Sequence, residues 1–208
     1  MKKISQFLLS LCLGFSMLAN AQVQEAPDQL IKRLSTEIID AAKTDKEIQA
    51  GNRQRINDLV EHKVLPHVNF DRMTSLAVGK NWRAATPEQQ KQLINEFRTL
   101  LIHTYSGAIT QIRDQKVEFK PFRAAPDDTE VEVKSMVIQT RGEPLQLSYR
   151  LEKTANGWKI FDINVLGAWL VETYKGSFTA EVNKNGVDGL IKTLIEKNKK
   201  LAAAPVKK

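Results

Sequence analysis

At Asp114 the spacing of the apolar residues changes, and that change constrains the fold more than any other feature. Up to Ile112 they recur every three or four positions. Beyond it they alternate, in the sets Val117 and Phe119, then Val131, Val133 and Val137, then Leu145, Leu147, Tyr149 and Leu151, then Phe161, Ile163 and Val165. A period of two places alternate side chains on one face of a strand. Pro126-Asp127-Asp128, Gly142-Glu143-Pro144 and Asn156-Gly157 stand between the sets, and these are the residue types that tight turns require. Four strands joined so closely pair as an antiparallel sheet, since parallel neighbours need long crossovers. Helical patterns lie on both sides, so the expected class is α+β, with helices packed on a curved four-stranded antiparallel sheet and flanking N- and C-terminal helices.

The helical patterns are specific. Leu30, Ile31, Leu34, Ile38 and Ala42 predict a helix from Pro27, and Ile56, Leu59, Val60 and Val64 predict a second that stops before Pro66, with Asp45 to Asn52 as a polar connector. Thr86-Pro87-Glu88-Gln89 combines a capping threonine, a proline at the first helical position and a glutamine three residues after the cap. Leu93, Ile94, Phe97, Leu100, Leu101, Tyr105, Ala108, Ile109 and Ile112 then form one stripe, which predicts a helix roughly 39 Å long facing the sheet. A twisted sheet and a straight helix cannot touch along their whole length, so an apolar concavity is expected between them. Val171, Tyr174, Phe178 and Val182 mark a further helix, Asn185-Gly186 a stop, and Val187, Leu190, Ile191, Leu194 and Ile195 a last helix before a lysine-rich tail.

Lys2 and Lys3, the apolar run Phe7–Leu18 and the exit Ala19-Asn20-Ala21 have the layout of a secretory signal cleaved after Ala21, and twelve apolar residues are too few to span a bilayer. The expected organisation is residues 1–21 as leader, 22–196 as one domain and 197–208 as a flexible basic tail. Cleavage removes Cys12, the only cysteine, so the exported chain holds no disulfide and is stabilised by its core. A formal charge of +7 would suit nucleic acid, but export excludes that partner.

Reactive constellations are scarce. His62 and His67 are five apart around Pro66, which is not the spacing of a helical metal pair, and no metal role is expected for them. His103 flanks the long stripe. There is no nucleophile elbow and no phosphate-cradling glycine loop. Asp162 is the one carboxylate with catalytic promise, because alternation sets it on a face with Trp158, Ile160 and Asn164, where an apolar setting can raise an acid's pKa. An isomerase or dehydratase of NTF2-like fold using Asp162 is therefore the alternative reading. Its competitor is an Asp162 that pairs with a nearby arginine or turns to solvent.

Two blocks carry a resemblance. The first is Phe70-Asp71-Arg72-Met73, Val78-Gly79, Trp82-Arg83, Ala85 to Gln89, Phe97, Leu100-Leu101 and Thr104-Tyr105. The second is Gly157 to Asp162, Gly167, Leu170-Val171, Tyr174-Lys175, Phe178 and Asn185 to Leu190. In order and spacing the chain resembles the periplasmic phospholipid-binding proteins of the MlaC or toluene-tolerance type over about residues 30 to 195. It departs from the family pattern at Leu166, where an acidic residue is usual, at Ala168 and Trp169, where small residues are usual, and at Lys175, where arginine is usual.

The resemblance implies an NTF2-like cone and a non-enzymatic periplasmic carrier whose apolar cavity holds the acyl chains of a glycerophospholipid. The bound lipid would be cargo, with no cofactor and no metal. It implies partners too: an inner-membrane ABC-type lipid transporter with its MCE-domain substrate-binding subunit, and an outer-membrane lipoprotein–porin complex, the shuttle between them maintaining outer-membrane lipid asymmetry. The expected lipid-binding residues on helices are Val78, Trp82, Phe97, Leu101, Tyr105, Trp169, Val171, Tyr174 and Phe178. On strands they are Phe119, Val133, Leu147, Tyr149, Trp158, Ile160, Phe161 and Val165.

Overall fold

The computed structural model describes residues 24–139 and 142–204. The expected leader and its cleavage site, and the end of the expected tail, lie outside the described residues. The chain opens with α1 (Pro27–Thr44), the short α2 (Lys46–Ala50), α3 (Arg53–Lys63) and α4 (Phe70–Val78). The polar connector after α1 is thus a helical turn in its own right, nucleated by Asp45, whose carboxylate accepts the amides of Glu47 and Ile48.

The capping box starts α5 (Pro87–Tyr105): Thr86 Oγ1 accepts the Gln89 amide at 3.2 Å and Gln89 Oε1 accepts the Thr86 amide at 2.9 Å. This helix does not reach Ile112. It ends at Tyr105 and tightens into a 3-10 turn over Ser106–Gln111, where Ser106-Gly107 offers poor helix formers while the apolar spacing continues. At 19 residues α5 is about 28 Å long.

The sheet consists of β1 (Lys116–Phe119), β2 (Glu130–Ile138), β3 (Leu145–Thr154), β4 (Gly157–Val165) and a fifth, two-residue strand β5 (Ala168–Trp169). All neighbours are antiparallel and follow chain order. β5 is too short to show alternation in sequence. A β-bulge interrupts β4, where Arg150 pairs with Asp162 and Leu151 with Ile160, leaving Phe161 as the extra residue. The bulge corrects the expected faces of this strand. Trp158 and Ile160 share the inner face with Ile163 and Val165, while Phe161 and Asp162 face outward.

The last helix, α6 (Leu170–Ala203), is broken at Gly186, whose φ of 72° few side chains tolerate, so the Asn185-Gly186 stop is a kink between two helical arms. The tail expected to be loose from Lys197 onward is helix as far as Ala203. Asn198 is buried there and donates to the Glu96 carbonyl at 2.9 Å and the Glu96 carboxylate at 2.7 Å.

There are two main cores. In one, α1 lays Leu30, Ile31 and Leu34 on the inner sheet face against Val133, Leu151, Trp158 and Ile160. In the other, α4, α5 and α6 bury Met73, Leu93, Phe97, Leu100, Val171, Phe178 and Leu190 among themselves. The long helix therefore packs along α6 and brings only its C-terminal end to the inner side of the sheet, which corrects the expected face-to-face arrangement.

Candidate functional site

Between the inner sheet face, α1, α3 and the end of α5 the side chains leave space unfilled. It comprises three lobes of about 300, 250 and 270 Å³ that share walls. Val64, Leu147, Tyr149 and Ile163 line both the first and the second, Ile39, Ile112 and Val137 both the second and the third, and Ile109 both the first and the third. Together they fall within the roughly 300–1,000 Å³ of typical ligand pockets. The lining explains an unusual burial pattern. Val60, Val64, Ile109, Ile112, Val137, Leu145, Leu147, Ile163 and Val165 are all half-buried aliphatics. Packed cores leave few voids larger than a water, and these side chains instead border empty volume.

A larger hollow of about 530 Å³ lies elsewhere, bounded by Gln24, Glu25, His67, Asn156 and the turn before Trp158. Its polar rim gives it a different chemistry, and it takes no part in the apolar space.

Of the expected residues, Leu101, Tyr105, Leu147, Tyr149, Ile160 and Val165 line the apolar lobes. The others do not. Val78, Phe97, Val171, Tyr174 and Phe178 form the helical core, where Phe97 meets Tyr174 and Phe178 edge-on at ring-centroid distances of 5.0 and 5.1 Å, and half-buried Trp82 packs on the same cluster. Val133, Trp158 and half-buried Phe119 belong to the core beneath α1. Phe161 and Trp169 lie under arginines: the Arg72 guanidinium sits 3.7 Å from the Phe161 ring, and that of Arg150 the same distance from Trp169. Arg72 is itself held by Glu152 and Glu130 at 2.7 and 2.6 Å. Aromatic side chains bring large area and directional ring contacts, so here they have gone into packing. The lining is chiefly aliphatic, and Ile38, Ile39, Val60, Val64, Phe70, Ile102 and Ile109 were not among the expected residues. Val60 on α3 and Val64 just past its end, four apart in the same apolar stripe, were the available signal.

No charged side chain lines the two lobes that meet at Tyr149. The Tyr149 and Tyr105 phenols are pushed above their ordinary pKa by burial and stay neutral. Asp162 does not reach the space. It is 1% exposed, its Oδ1 accepts the Ile163 amide at 2.9 Å and the Val171 amide at 3.1 Å, and Arg150 stands 3.5 Å from Oδ2. Burial raises its pKa, against the two amides and Arg150, which lower it. Its partners make it a cap for α6 and half of an ion pair. Among the described residues no three of His, Cys, Asp and Glu come together as a metal-binding group. His62 Nδ1 lies 2.7 Å from the Asp58 carbonyl on its own helix, and His67 is half-buried, its pKa lowered by burial and by Arg33 and Lys159.

The described residues form an α+β cone whose unfilled, aliphatic interior has the lining that suits a long apolar ligand. The MlaC protein family model matches residues 32–196. The chain belongs to the MlaC family. Among its relatives, the intermembrane phospholipid transport system binding protein MlaC of Haemophilus influenzae is 22% identical, over 99% of this chain and 96% of its own length. The toluene tolerance protein ttg2D of Pseudomonas putida is 27% identical over 87% and 83%. The phospholipid-binding protein of Ralstonia solanacearum, solved in complex with a phospholipid, superimposes with a TM-score of 0.82 at 45% identity, covering 86% of this chain and 99% of that one.

Proposed function

We propose that this protein is a periplasmic carrier that takes the acyl chains of a glycerophospholipid into the aliphatic lobes and leaves the headgroup in water at the mouth. The observation that carries this reading is the row of half-buried aliphatic side chains facing unfilled volume around Tyr149 and Ile163. The phospholipid bound by the Ralstonia relative supports it. The carrier would exchange lipid with an inner-membrane ABC-type transporter through its MCE-domain subunit and with an outer-membrane lipoprotein–porin complex, and so maintain outer-membrane lipid asymmetry.

The energetics suit a shuttle. Two sixteen-carbon tails hold about thirty methylene groups, worth roughly 24 kcal/mol when hidden from water. A bilayer hides them equally well, so loading and unloading are nearly balanced, and direction comes from partners that favour one state of the cavity. The test is mass spectrometry of an organic extract of the purified mature protein. Stoichiometric phospholipid is expected. Extracts empty in repeated preparations, with no uptake from liposomes, would overturn the assignment.

A further inference from the structure

Leu166 is 73% exposed and has a φ of 53°, the only positive φ outside glycine among the described residues. With Gly167, whose φ is 87°, it forms the two-residue turn between Val165 and Ala168. Positive φ at both central positions is the type I′ pattern, which favours Asn, Asp or Gly first and disfavours leucine. The turn is well anchored, with the Gly167 amide donating to Asn164 Oδ1 at 2.9 Å and the Leu166 amide to the Gln146 carbonyl at 3.3 Å. A strained conformation therefore holds an apolar side chain in water, where the fold makes no use of it. Strain retained at such a place points to function.

The surroundings identify the occupant. Val165, immediately before the turn, and Leu170, just after β5, both line the first lobe of the cavity. Tyr105, another of the few exposed large apolar side chains, lines the same lobe. Trp169 stands beside the turn with the Arg150 guanidinium 3.7 Å over its ring, and that arginine side chain is 41% exposed. An apolar tip backed by a tryptophan and an arginine matches the layering of a phospholipid surface, with acyl chains innermost, then the interface where tryptophan concentrates, then phosphate. The net charge of +7 becomes +5 once the expected leader with Lys2 and Lys3 is removed, and it still favours approach to an anionic surface, while no described helix is long and apolar enough to cross a membrane, which leaves shallow insertion.

We infer that the Leu166-Gly167 tip inserts into the surface of a phospholipid bilayer and brings the cavity's first lobe to the lipid it exchanges. The exchange step rests on the carrier reading above. Insertion of the tip does not. The test uses Leu166→Asn, which suits the turn and removes the apolar side chain. Flotation with vesicles of phosphatidylethanolamine and phosphatidylglycerol should weaken by about tenfold, as expected for withdrawing one partly inserted leucine. Phospholipid uptake from those vesicles should slow by a similar factor, while uptake from detergent micelles is unchanged and the melting temperature rises. Wild-type flotation and uptake by Leu166→Asn would overturn the inference. So would an equal loss of uptake from micelles, which would put the effect inside the cavity, or unchanged flotation with lost binding to a protein partner. Wild-type protein that floats but takes up phospholipid from neither source would sink the carrier reading and leave the tip's insertion supported.

Discussion

The Asp162 carboxylate of β4 accepts the Val171 amide of α6 at 3.1 Å, so one buried acid joins the last long strand to the first turn of the longest helix. The same oxygen takes the Ile163 amide beside the β-bulge. Removing it leaves two amides without their acceptor in a dry setting. Asp162→Ala should therefore destabilise by about 1–3 kcal/mol, whereas Asp162→Asn, which keeps an acceptor oxygen, should lose less. Urea denaturation measures both. Because the carboxylate lies outside the cavity, Asp162→Asn should still load phospholipid at wild-type stoichiometry. A variant that folds but no longer loads would show that Asp162 acts on the ligand.

The same residue has a pH signature. Burial raises its folded pKa above the ordinary 3.8, so the folded state holds the proton more tightly than the unfolded chain does. That preference contributes stability in full below 3.8 and is lost as pH rises through the raised folded value. Glu25 and Glu37 act in the opposite sense, since Arg33, and for Glu37 Lys63 as well, lowers their pKa. The informative quantity is therefore the difference between wild type and Asp162→Asn. It should favour wild type most at acid pH, shrink across that window and become constant near neutrality. A difference independent of pH would mean that Asp162 is not perturbed as its burial requires.

Local signals in this chain were legible where one residue type has one structural use. The Thr86–Gln89 box, the turn at Asn156-Gly157 and the alternation of β2 and β3 were readable because caps, turns and uninterrupted strands obey short-range rules. Phe161 shows why the rest was not. One inserted residue reverses the parity of β4, and nothing local marks it, so Trp158 and Val165 were placed on opposite faces when they share one. Ile109 and Ile112 keep helical spacing through a 3-10 turn, which hid the end of α5. The family resemblance implied aromatic residues in the ligand wall, yet Phe97, Tyr174 and Phe178 pack against each other. Apolar faces can be read from a sequence. The gap between them depends on where α1 and α3 come to rest.

That gap predicts unequal costs for truncation. Phe97 is fully buried with rings on two sides, so Phe97→Ala should cost about 3–5 kcal/mol. Ile163 borders space that is already open, so Ile163→Ala creates little new void and should cost about 1–2 kcal/mol, below the usual range for a buried isoleucine. Chemical denaturation of the delipidated variants makes the comparison. Equal losses would mean that the lobes are closed in solution.

Removing the ligand should itself destabilise the protein. A ligand that binds only the folded state adds about 2.7 kcal/mol at a hundred times its dissociation constant. For a chain of this size each kcal/mol shifts the melting temperature by about 2–4 °C. Protein delipidated under denaturant and refolded should melt roughly 5–10 °C below the material as purified, and reloading from liposomes should restore the difference. Calorimetry reads both steps, and identical melting of the two forms would contradict a lipid held in the interior.

Filling the space separates cavity from core most directly. Leu147 and Ile163 each face both of the lobes that meet at Tyr149, so Leu147→Trp and Ile163→Phe add bulk where no atoms now stand. In a packed core such enlargement costs about 1–3 kcal/mol. Here the new rings gain contacts, at about 24 cal/mol per Å³ of void removed, and the delipidated variants should melt at or above the wild-type temperature. Their phospholipid content should fall by more than half, since the tails compete for the same volume. Trp169→Ala supplies the contrast, because that ring lies under Arg150 outside the lobes and its loss should leave the lipid content intact. If the filled variants instead lost stability while keeping their lipid, the aliphatic lobes would not be where the tails reside.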